Sequence, residues 1–166
     1  RDVALAASAV HVWDAARAQV DRDGDGTATD AVLINSFYRA GTAAWDRSAE
    51  FAAFSVEHLS ETLWPYPWPH MTAIEGVIGG GMEYPMMTLI GGDRTDPSLF
   101  SVTYHEIAHM WFPMMVGSNE KAYTWMDEGL TSYNTNQGIA AFWDGSAPDR
   151  QRIEAWDRRR QSHYLL

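Results

Sequence analysis

The pattern of apolar and polar residues predicts a β-hairpin near the start of the chain. Residues 31–39 are rich in β-branched and aromatic side chains, which favours a strand. Residues 10–20 are compatible with a strand or a helix, because valines and a tryptophan are followed by alanines. Between them, the glycines and aspartates of residues 21–30 indicate a turn. A hairpin closed by this turn is the simplest interpretation.

Apolar residues at helical spacing predict the next element, a helix over residues 46–64. Its apolar side chains recur at positions 51, 54, 56, 59 and 63, close to the period of an α-helix. Either Asp46 or Ser48 can cap its start. The alternating prolines of residues 64–70 end the helix and favour an extended connection. We interpret that connection as buried, rather than as a proline-rich ligand for another domain.

Glycines interrupt the apolar stretch of residues 71–92. Runs of apolar residues favour two strands within it, and residues 79–81 are three consecutive glycines. A glycine run inside a strand pattern marks a bulge or a place where another group approaches the backbone closely. The sequence therefore predicts strands on both sides of a glycine kink.

Start and stop signals predict two helices farther along the chain. Asp96 followed by Pro97 is a strong helix start, with the aspartate as N-cap and the proline at the first helical position. This helix should run to about Phe112, because Pro113 stops it. A second helix is predicted over residues 127–143.

Composition narrows the class of protein. The 166 residues are the length of one ordinary domain, and 46% of them are hydrophobic, enough for a sizeable core. The net charge of -10 argues against nucleic acid and anionic membranes as partners. No run of about 18 apolar residues occurs, so no membrane span is predicted. Because the chain has no cysteine, any bound metal must be held by histidines and carboxylates.

One short motif, His-Glu-x-x-His, falls on the helix predicted after Pro97. His105 and His109 are four residues apart, so both imidazoles project from one helix face and can bind one ion. Glu106 lies about 100° around the helix axis, beside that ion rather than on it. This arrangement is typical of zinc hydrolases, in which the glutamate is the general base. An amphipathic helix with two incidental histidines is the alternative.

A catalytic zinc site needs a third protein ligand. Glu128 follows His109 with eighteen residues between them, at the start of the next predicted helix. An antiparallel second helix can bring this carboxylate to the same ion and leave a fourth position open for water. Asp127 competes for the role on position alone.

Three motifs in this order resemble the zinc aminopeptidases of the aminopeptidase N and leukotriene hydrolase type, which are gluzincins. That family has His-Glu-x-x-His, then eighteen residues, then a glutamate in a Trp-x-x-Glu-Gly context. This chain has Trp-Met-Asp-Glu-Gly at residues 125–129, and the match selects Glu128 over Asp127. The family also has Gly-x-Met-Glu-Asn upstream, where this chain has Gly-Gly-Met-Glu-Tyr at residues 80–84. Residues 1–40 resemble the family only loosely.

The resemblance implies both a fold and an activity. The implied fold is α+β, like the first part of a thermolysin-like metallopeptidase catalytic domain. It has a mixed, mostly antiparallel sheet followed by helices that carry the zinc site. One Zn²⁺ per chain is expected on His105, His109 and Glu128, with Glu106 as the general base. The implied activity is the release of N-terminal amino acids from peptides through a zinc-activated water.

The resemblance also assigns the upstream motif to substrate binding. Glu83 is expected to bind the free α-amino group of a peptide, and Gly80, Gly81 and Met82 to contact the extended substrate. Without the resemblance, the same segment is a glycine-kinked strand with an incidental glutamate. Tyr84 stands where the family usually has asparagine, a departure that bears on amine recognition and not on the zinc chemistry.

The expected partner is a peptide with a free N-terminus, and the chain is interpreted as part of a longer protein. The family uses a downstream tyrosine to stabilise the oxyanion; Tyr164 is too close to Glu128, so that tyrosine is expected beyond Leu166. Residues 1–40 are expected to be a hairpin region, at the end of a preceding β domain and the first strand of the catalytic domain. Residues 41–166 are expected to form the N-terminal part of that catalytic domain and to contact domains outside this chain.

Two alternative functions stay open: a zinc endopeptidase or other zinc hydrolase, and a catalytically silent metal- or peptide-binding module. Residues 21–32 resemble an EF-hand calcium loop, because Asp21, Asp23 and Asp25 occupy its first three ligand positions. The twelfth position should be a bidentate glutamate but is Val32. A solvent-facing turn is therefore the better interpretation of this segment.

Overall fold

The predicted hairpin is present and begins a five-stranded sheet. A computed structural model describes residues 3–143; Tyr164 lies outside this range. Strand β1 (His11–Val20) pairs antiparallel with β2 (Asp30–Arg39) along their whole length. Alternate residues of β2 are buried, as expected for a strand with one face on the core. The ambiguous segment before the turn is therefore a strand.

The other three strands make the sheet mixed. Strands β3 (His70–Gly76), β4 (Gly81–Tyr84) and β5 (Met87–Gly91) complete the order β1-β2-β3-β5-β4. The β2–β3 and β3–β5 interfaces are parallel, and β4 runs antiparallel to β5. The long β1–β2 ladder keeps antiparallel pairs in the majority. The predicted α+β class, with a mixed and mostly antiparallel sheet, is confirmed.

Helix α1 (Ser48–Thr62) follows a short 3-10 turn and connects the parallel strands β2 and β3. A parallel pair requires such a crossover, because a tight turn cannot join strands that run the same way. The side-chain cap predicted at Asp46 or Ser48 is absent. The Ser48 hydroxyl instead donates to the carbonyl of Trp45, 2.5 Å away.

Helix α2 (Asp96–Ala108) carries the His-Glu-x-x-His motif and begins where predicted. The N-cap is Thr95 rather than Asp96, and the Asp96 carboxylate instead pairs with the Arg47 guanidinium at 2.8 Å. The regular helix ends four residues before Phe112. A wide helical turn (Met110–Met115) follows, within which Phe112 has extended backbone angles.

The second predicted helix is also present. A wide turn (Trp125–Gly129) leads into helix α3 (Leu130–Trp143). Helices α2 and α3 approach closely at Gly138, where an added Cβ would lie 2.1 Å from the ring of Tyr104. This approach sets how the first turns of α3 face the last turn of α2. Among residues 3–143, no helix combines the length and apolar character that a membrane span requires.

The hydrophobic core lies between one face of the sheet and the three helices. Aromatic rings from all three helices meet there: Phe51 of α1 and Phe142 of α3 both contact Phe100 of α2. Trp111 and Tyr66 extend the core under the wide turn that follows α2. The end of α2 is therefore held from both sides by buried aromatic packing.

Candidate metal centre

The two histidines of the motif lie together at the C-terminal end of α2. Their ring centroids are 4.8 Å apart and the ring planes are perpendicular. The side chain of His109 is buried, and that of His105 is 14% exposed. A spacing of one helical turn thus produces the shared face that the sequence predicts.

Glu128, in the wide turn before α3, meets these histidines. Its Oε2 atom lies 3.1 Å from Nε2 of His105 and 3.8 Å from Nε2 of His109. One ligand atom from each of the three residues lies within 4.8 Å of the other two. Two imidazoles and a carboxylate are the donor set of a catalytic zinc site. The Glu128 side chain is 48% exposed, so the cluster opens to solvent on that side.

Asp127, the competitor for the third position, contacts the opposite nitrogen of His109. Its Oδ1 atom lies 2.7 Å from Nδ1, without the geometry of a hydrogen bond. Nδ1 donates to the carbonyl of Phe112 at 2.9 Å. A metal-ligating histidine commonly donates its second N–H in this way, which leaves Nε2 free to bind the ion. Asp127 and Glu128 therefore lie on different sides of His109.

Glu106 is buried beside the cluster with its carboxylate largely unsatisfied. The residue is 5% exposed, and Oε2 has no hydrogen-bond partner among the described residues. Burial raises the pKa of Glu106 to about 8, and the negative charges of Glu83 and Glu128 act in the same direction. His109 and Arg94 oppose this shift. A buried carboxylate of this kind is suited to accept and release a proton near neutral pH.

The Glu106 side chain lies directly over Gly81 of β4. A Cβ at Gly81 would lie 2.2 Å from Oε1 and 2.5 Å from Cγ of Glu106, closer than atoms can approach. A Cβ added at Gly79 would have no atom within 4 Å. The glycine predicted to mark a close approach is therefore Gly81, and the approaching group is a side chain of the site itself.

Glu83 also reaches the site. Carboxylate oxygens of Glu83 and Glu106 and a ring nitrogen of His109 lie within 4.8 Å of one another. Strand β4 is at the edge of the sheet, so only one of its sides is paired among residues 3–143. Met82 is 40% exposed on this strand. The structure thus brings the upstream motif against the histidines, while Tyr84 ends the strand.

Arg94 holds the glycine segment in place and was not anticipated from the sequence. Its guanidinium donates to the carbonyls of Gly91 at 2.8 Å and Gly80 at 3.1 Å, and to the Ser98 hydroxyl at 3.2 Å. The Gly80 carbonyl also accepts the backbone N–H of Gly91 at 2.8 Å. Since that carbonyl is bonded within the chain, Gly80 contributes to the site mainly by fixing the start of β4.

Two threonines of α3, Thr131 and Thr135, also escaped the sequence prediction. Their hydroxyl oxygens lie 3.4 Å from Nδ1 of His109 and Nδ1 of His105, respectively. Both threonines are buried. The signal available in the sequence was their spacing, three and seven residues after Glu128, which places all three on one helix face.

Comparisons with known proteins find aminopeptidases among the relatives of this chain. Leucine aminopeptidase 2 of Neosartorya fischeri is 27% identical over 119 residues, or 67% of this chain and 19% of that protein. Aminopeptidase B of Homo sapiens is 42% identical over 59 residues, or 32% of this chain and 9% of that protein. The predicted resemblance to zinc aminopeptidases is confirmed.

Solved structures identify the fold. A variant of a two-domain M1 zinc metallopeptidase bound to L-arginine has a TM-score of 0.59 and 22% identity. The alignment covers 89% of this chain and 32% of that one. The chain has the fold of the M1 zinc metallopeptidases. The M1 zinc metallopeptidase of Deinococcus radiodurans aligns with 89% of this chain and 32% of its own, with 22% identity and a TM-score of 0.55. No protein-family model matches the chain.

The chain spans 19% of the first leucine aminopeptidase and 32% of the first M1 structure. The matched part nevertheless includes most of the described sheet and helices, because the structural alignment covers 89% of this chain. The comparison of folds therefore concerns the scaffold around the metal centre.

Proposed function

We propose that the chain is part of a zinc aminopeptidase and carries its metal centre. The convergence of His105, His109 and Glu128 carries this proposal, because separate elements bring together the donor set of a catalytic zinc site. The aminopeptidase relatives and the M1 fold support the same conclusion. One Zn²⁺ per chain is the proposed cofactor.

The proposed division of the molecule follows from the same fold. Residues 41–166 are proposed to form the N-terminal part of a thermolysin-like catalytic domain, and residues 1–40 a hairpin region made of the end of a preceding β domain and the first strand of the catalytic domain. The parallel pairing of β2 with β3 supports placing β2 in the catalytic sheet. Domains outside this chain are proposed to complete the substrate pocket, and the oxyanion-stabilising tyrosine is proposed to lie beyond Leu166.

Glu106 is the proposed general base. Zinc, when bound, supplies Lewis-acid chemistry that polarises a carbonyl group and acidifies water. Glu106 accepts a proton from the water while the water oxygen bonds to the carbonyl carbon of the peptide. It then gives that proton to the leaving nitrogen as the C–N bond breaks. The unpartnered Oε2 and the raised pKa support this role.

Glu83 is the proposed anchor for the substrate amine, which makes the enzyme an exopeptidase. Its carboxylate lies close to Glu106 and His109, and a group of negative charges there favours an ammonium group. Gly81 and Met82 line the free edge of β4, to which an extended peptide can add as a strand. The Deinococcus radiodurans M1 enzyme has been solved with a Tyr-Ser-Ala substrate, which supports peptide binding on this fold.

Metal analysis and a substrate comparison test the proposal. The 166-residue chain should bind one zinc ion, and His109→Ala should lose it because a buried ligand is removed. In the intact protein, an amino-acid anilide should be cleaved and its N-acetylated form should not. Equal cleavage of both substrates would favour an endopeptidase. Absence of zinc from the wild-type protein would favour a catalytically silent module.

The isolated 166-residue chain is proposed to be weakly active or inactive on its own, since other domains complete the site. Anilide turnover by this chain, compared with the intact protein at equal zinc content, measures this directly. Similar turnover by the two proteins would contradict the proposed need for further domains.

A further inference from the structure

The two ring nitrogens of His105 have different partners. Nε2 faces Glu128, with 3.1 Å between Nε2 and Oε2. Nδ1 faces the Thr135 hydroxyl at 3.4 Å, and Thr135 is the one hydrogen-bond partner of Nδ1 within residues 3–143. A neutral imidazole carries its hydrogen on one nitrogen only, and the other nitrogen keeps the lone pair that binds a metal.

The hydroxyl of Thr135 is placed to accept a hydrogen bond from His105, because its shorter contact is to a carbonyl that must accept. Its single hydrogen is donated to the carbonyl of Thr131, 2.8 Å away in the preceding helical turn. The oxygen can therefore accept an N–H from the ring but has no hydrogen left to offer. This contact favours the form of His105 that carries its hydrogen on Nδ1.

Glu128 favours the opposite form. A carboxylate 3.1 Å from Nε2 can accept an Nε2–H hydrogen bond, which would place a hydrogen where the metal must bind. The Thr135 hydroxyl and the Glu128 carboxylate thus compete for the position of one hydrogen. His109 has no such conflict at short range, because its Nδ1 donates to the Phe112 carbonyl at 2.9 Å and its Nε2 lies 3.8 Å from Glu128.

We propose that Thr135 is a positioning residue that accepts a hydrogen from Nδ1 of His105 and so increases the share of the form whose Nε2 is ready to bind the metal, against the closer Glu128 carboxylate. This role of Thr135 rests on the proposed function, because it assumes that His105 is a zinc ligand. Thr131 has a smaller role, because its 3.4 Å contact only supplements the bond from His109 to Phe112. Outer hydrogen bonds of this kind typically change metal affinity by about 10- to 100-fold.

Three valine variants separate this role from simple packing, because valine and threonine have nearly the same shape. Thr135→Val removes the acceptor for His105. Thr131→Val removes the minor contact to His109 and a 3.3 Å hydrogen bond from the Thr131 hydroxyl to the Phe112 carbonyl. Thr103→Val is the matched control: Thr103 is buried in α2, and its hydroxyl has no hydrogen-bond partner among the described residues. Thr135→Ser restores the hydroxyl and should restore the wild-type behaviour.

Nitrogen NMR of ¹⁵N-histidine-labelled, chelator-treated protein measures how the hydrogen is shared between the two nitrogens, at an alkaline pH where the imidazoles are neutral. We expect the share of the Nδ1–H form of His105 to be the same in the wild type, in Thr135→Ser and in Thr103→Val. In Thr135→Val this share should fall, because the acceptor for Nδ1 is lost. An equal share of the Nδ1–H form in Thr135→Val and the wild type would overturn the inference.

Competition with a chromophoric chelator supplies the second measurement, with zinc itself as the probe. Thr135→Val should bind zinc about tenfold more weakly, Thr131→Val should lose less than that, and Thr103→Val should match the wild type. Equal zinc affinity of Thr135→Val and the wild type would count against the positioning role. Failure of the wild type to bind zinc would instead contradict the proposed function, while the NMR result would still decide where the hydrogen lies.

Discussion

Two regions of this molecule each bring together three residues that could hold a metal, and they differ in almost every other respect. One is the cluster of His105, His109 and Glu128, and the other is the acidic turn with Asp21, Asp23 and Asp25. In both, one ligand atom from each residue lies within 4.8 Å of the other two. Proximity alone therefore does not distinguish a metal centre from a turn.

The acidic turn satisfies its carboxylates with its own backbone. Asp21 accepts the N–H groups of Gly24 at 2.7 Å and Gly26 at 2.8 Å. The bond from Gly26 is the main cause that lowers the pKa of Asp21. The residue at the twelfth position, Val32, is fully buried in the core and is unable to act as a ligand. These carboxylates accept backbone N–H groups that hold the turn.

The cluster at the end of α2 has the opposite character. Its residues come from two elements far apart in sequence, and Glu106 beside it is buried with an unsatisfied oxygen and a raised pKa. Such a carboxylate costs folding free energy, which the attraction of His109 and Arg94 offsets only in part. A buried polar group without a hydrogen-bond partner marks a functional site more reliably than the number of nearby carboxylates.

The largest expected effect comes from Glu106→Gln in the intact protein. The amide cannot accept a proton, so kcat should fall by about 10²- to 10⁴-fold, while zinc content stays at the wild-type level. Steady-state kinetics and metal analysis of the same preparation measure both quantities. Glu61→Gln, at an exposed position of α1, is the control and should retain full activity. Wild-type rates in Glu106→Gln would refute the assigned base.

Gly81→Ala should have the next largest effect. The new methyl group would overlap the Glu106 side chain and displace its carboxylate, so kcat should fall by about 100-fold with zinc retained. Gly79→Ala, two residues earlier, adds the same methyl group where no atom lies within 4 Å. If the two variants have the same activity, the contact between Gly81 and Glu106 does not position the base.

The raised pKa of Glu106 predicts how stability depends on pH in chelator-treated protein. The folded chain keeps the Glu106 proton up to a pH of about 8, whereas the unfolded chain loses it near the ordinary glutamate pKa of 4.5. Between these values the folded state binds more protons, so its stability should fall as pH rises and level off above about pH 8. The loss should be on the order of 5 kcal/mol.

Urea unfolding at several pH values measures this loss. Glu106→Gln should remove that part of the pH dependence and become the more stable protein at high pH, because its amide has no charge to bury. Parallel stability curves for the variant and the wild type would show that the Glu106 carboxylate is not buried in the way the structure describes.

The smallest effect is expected at the acidic turn. Asp21→Asn should leave zinc content and activity unchanged, and added calcium should not raise the Tm of the wild type, because the turn is held by its own backbone N–H groups. Metal analysis and thermal unfolding with and without calcium measure this. If calcium clearly raised the Tm of the wild type, and Asp21→Asn abolished this increase, the acidic turn would also be a metal-binding site.

Local features of the site could be predicted from the sequence, and features that depend on helix register could not. The spacing of His105 and His109 alone places them on one face of α2. The choice between the adjacent residues Asp127 and Glu128 depends on the direction of approach to His109, which only the resemblance indicated. The contact of Thr135 with His105 depends on how α3 lies against α2, and hence on the close approach at Gly138.

The same distinction holds for the fold. Strands and helices were predicted close to their observed positions, because each depends on local periodicity and on proline and glycine signals. The parallel pairing of β2 with β3 was not anticipated, since it results from the crossover through α1. The N-cap at Thr95 was missed because the Asp96 carboxylate is engaged by Arg47, 49 residues earlier in the chain.

The bonds from Arg94 to Gly80 and Gly91 have a consequence for affinity. Three consecutive glycines have more conformational freedom to lose than any other tripeptide. Because Arg94 holds this segment, the backbone entropy of β4 is lost when the chain folds and would not be lost again if the proposed peptide added to its edge. A preorganised edge of this kind would leave more of the interaction free energy available for binding that peptide.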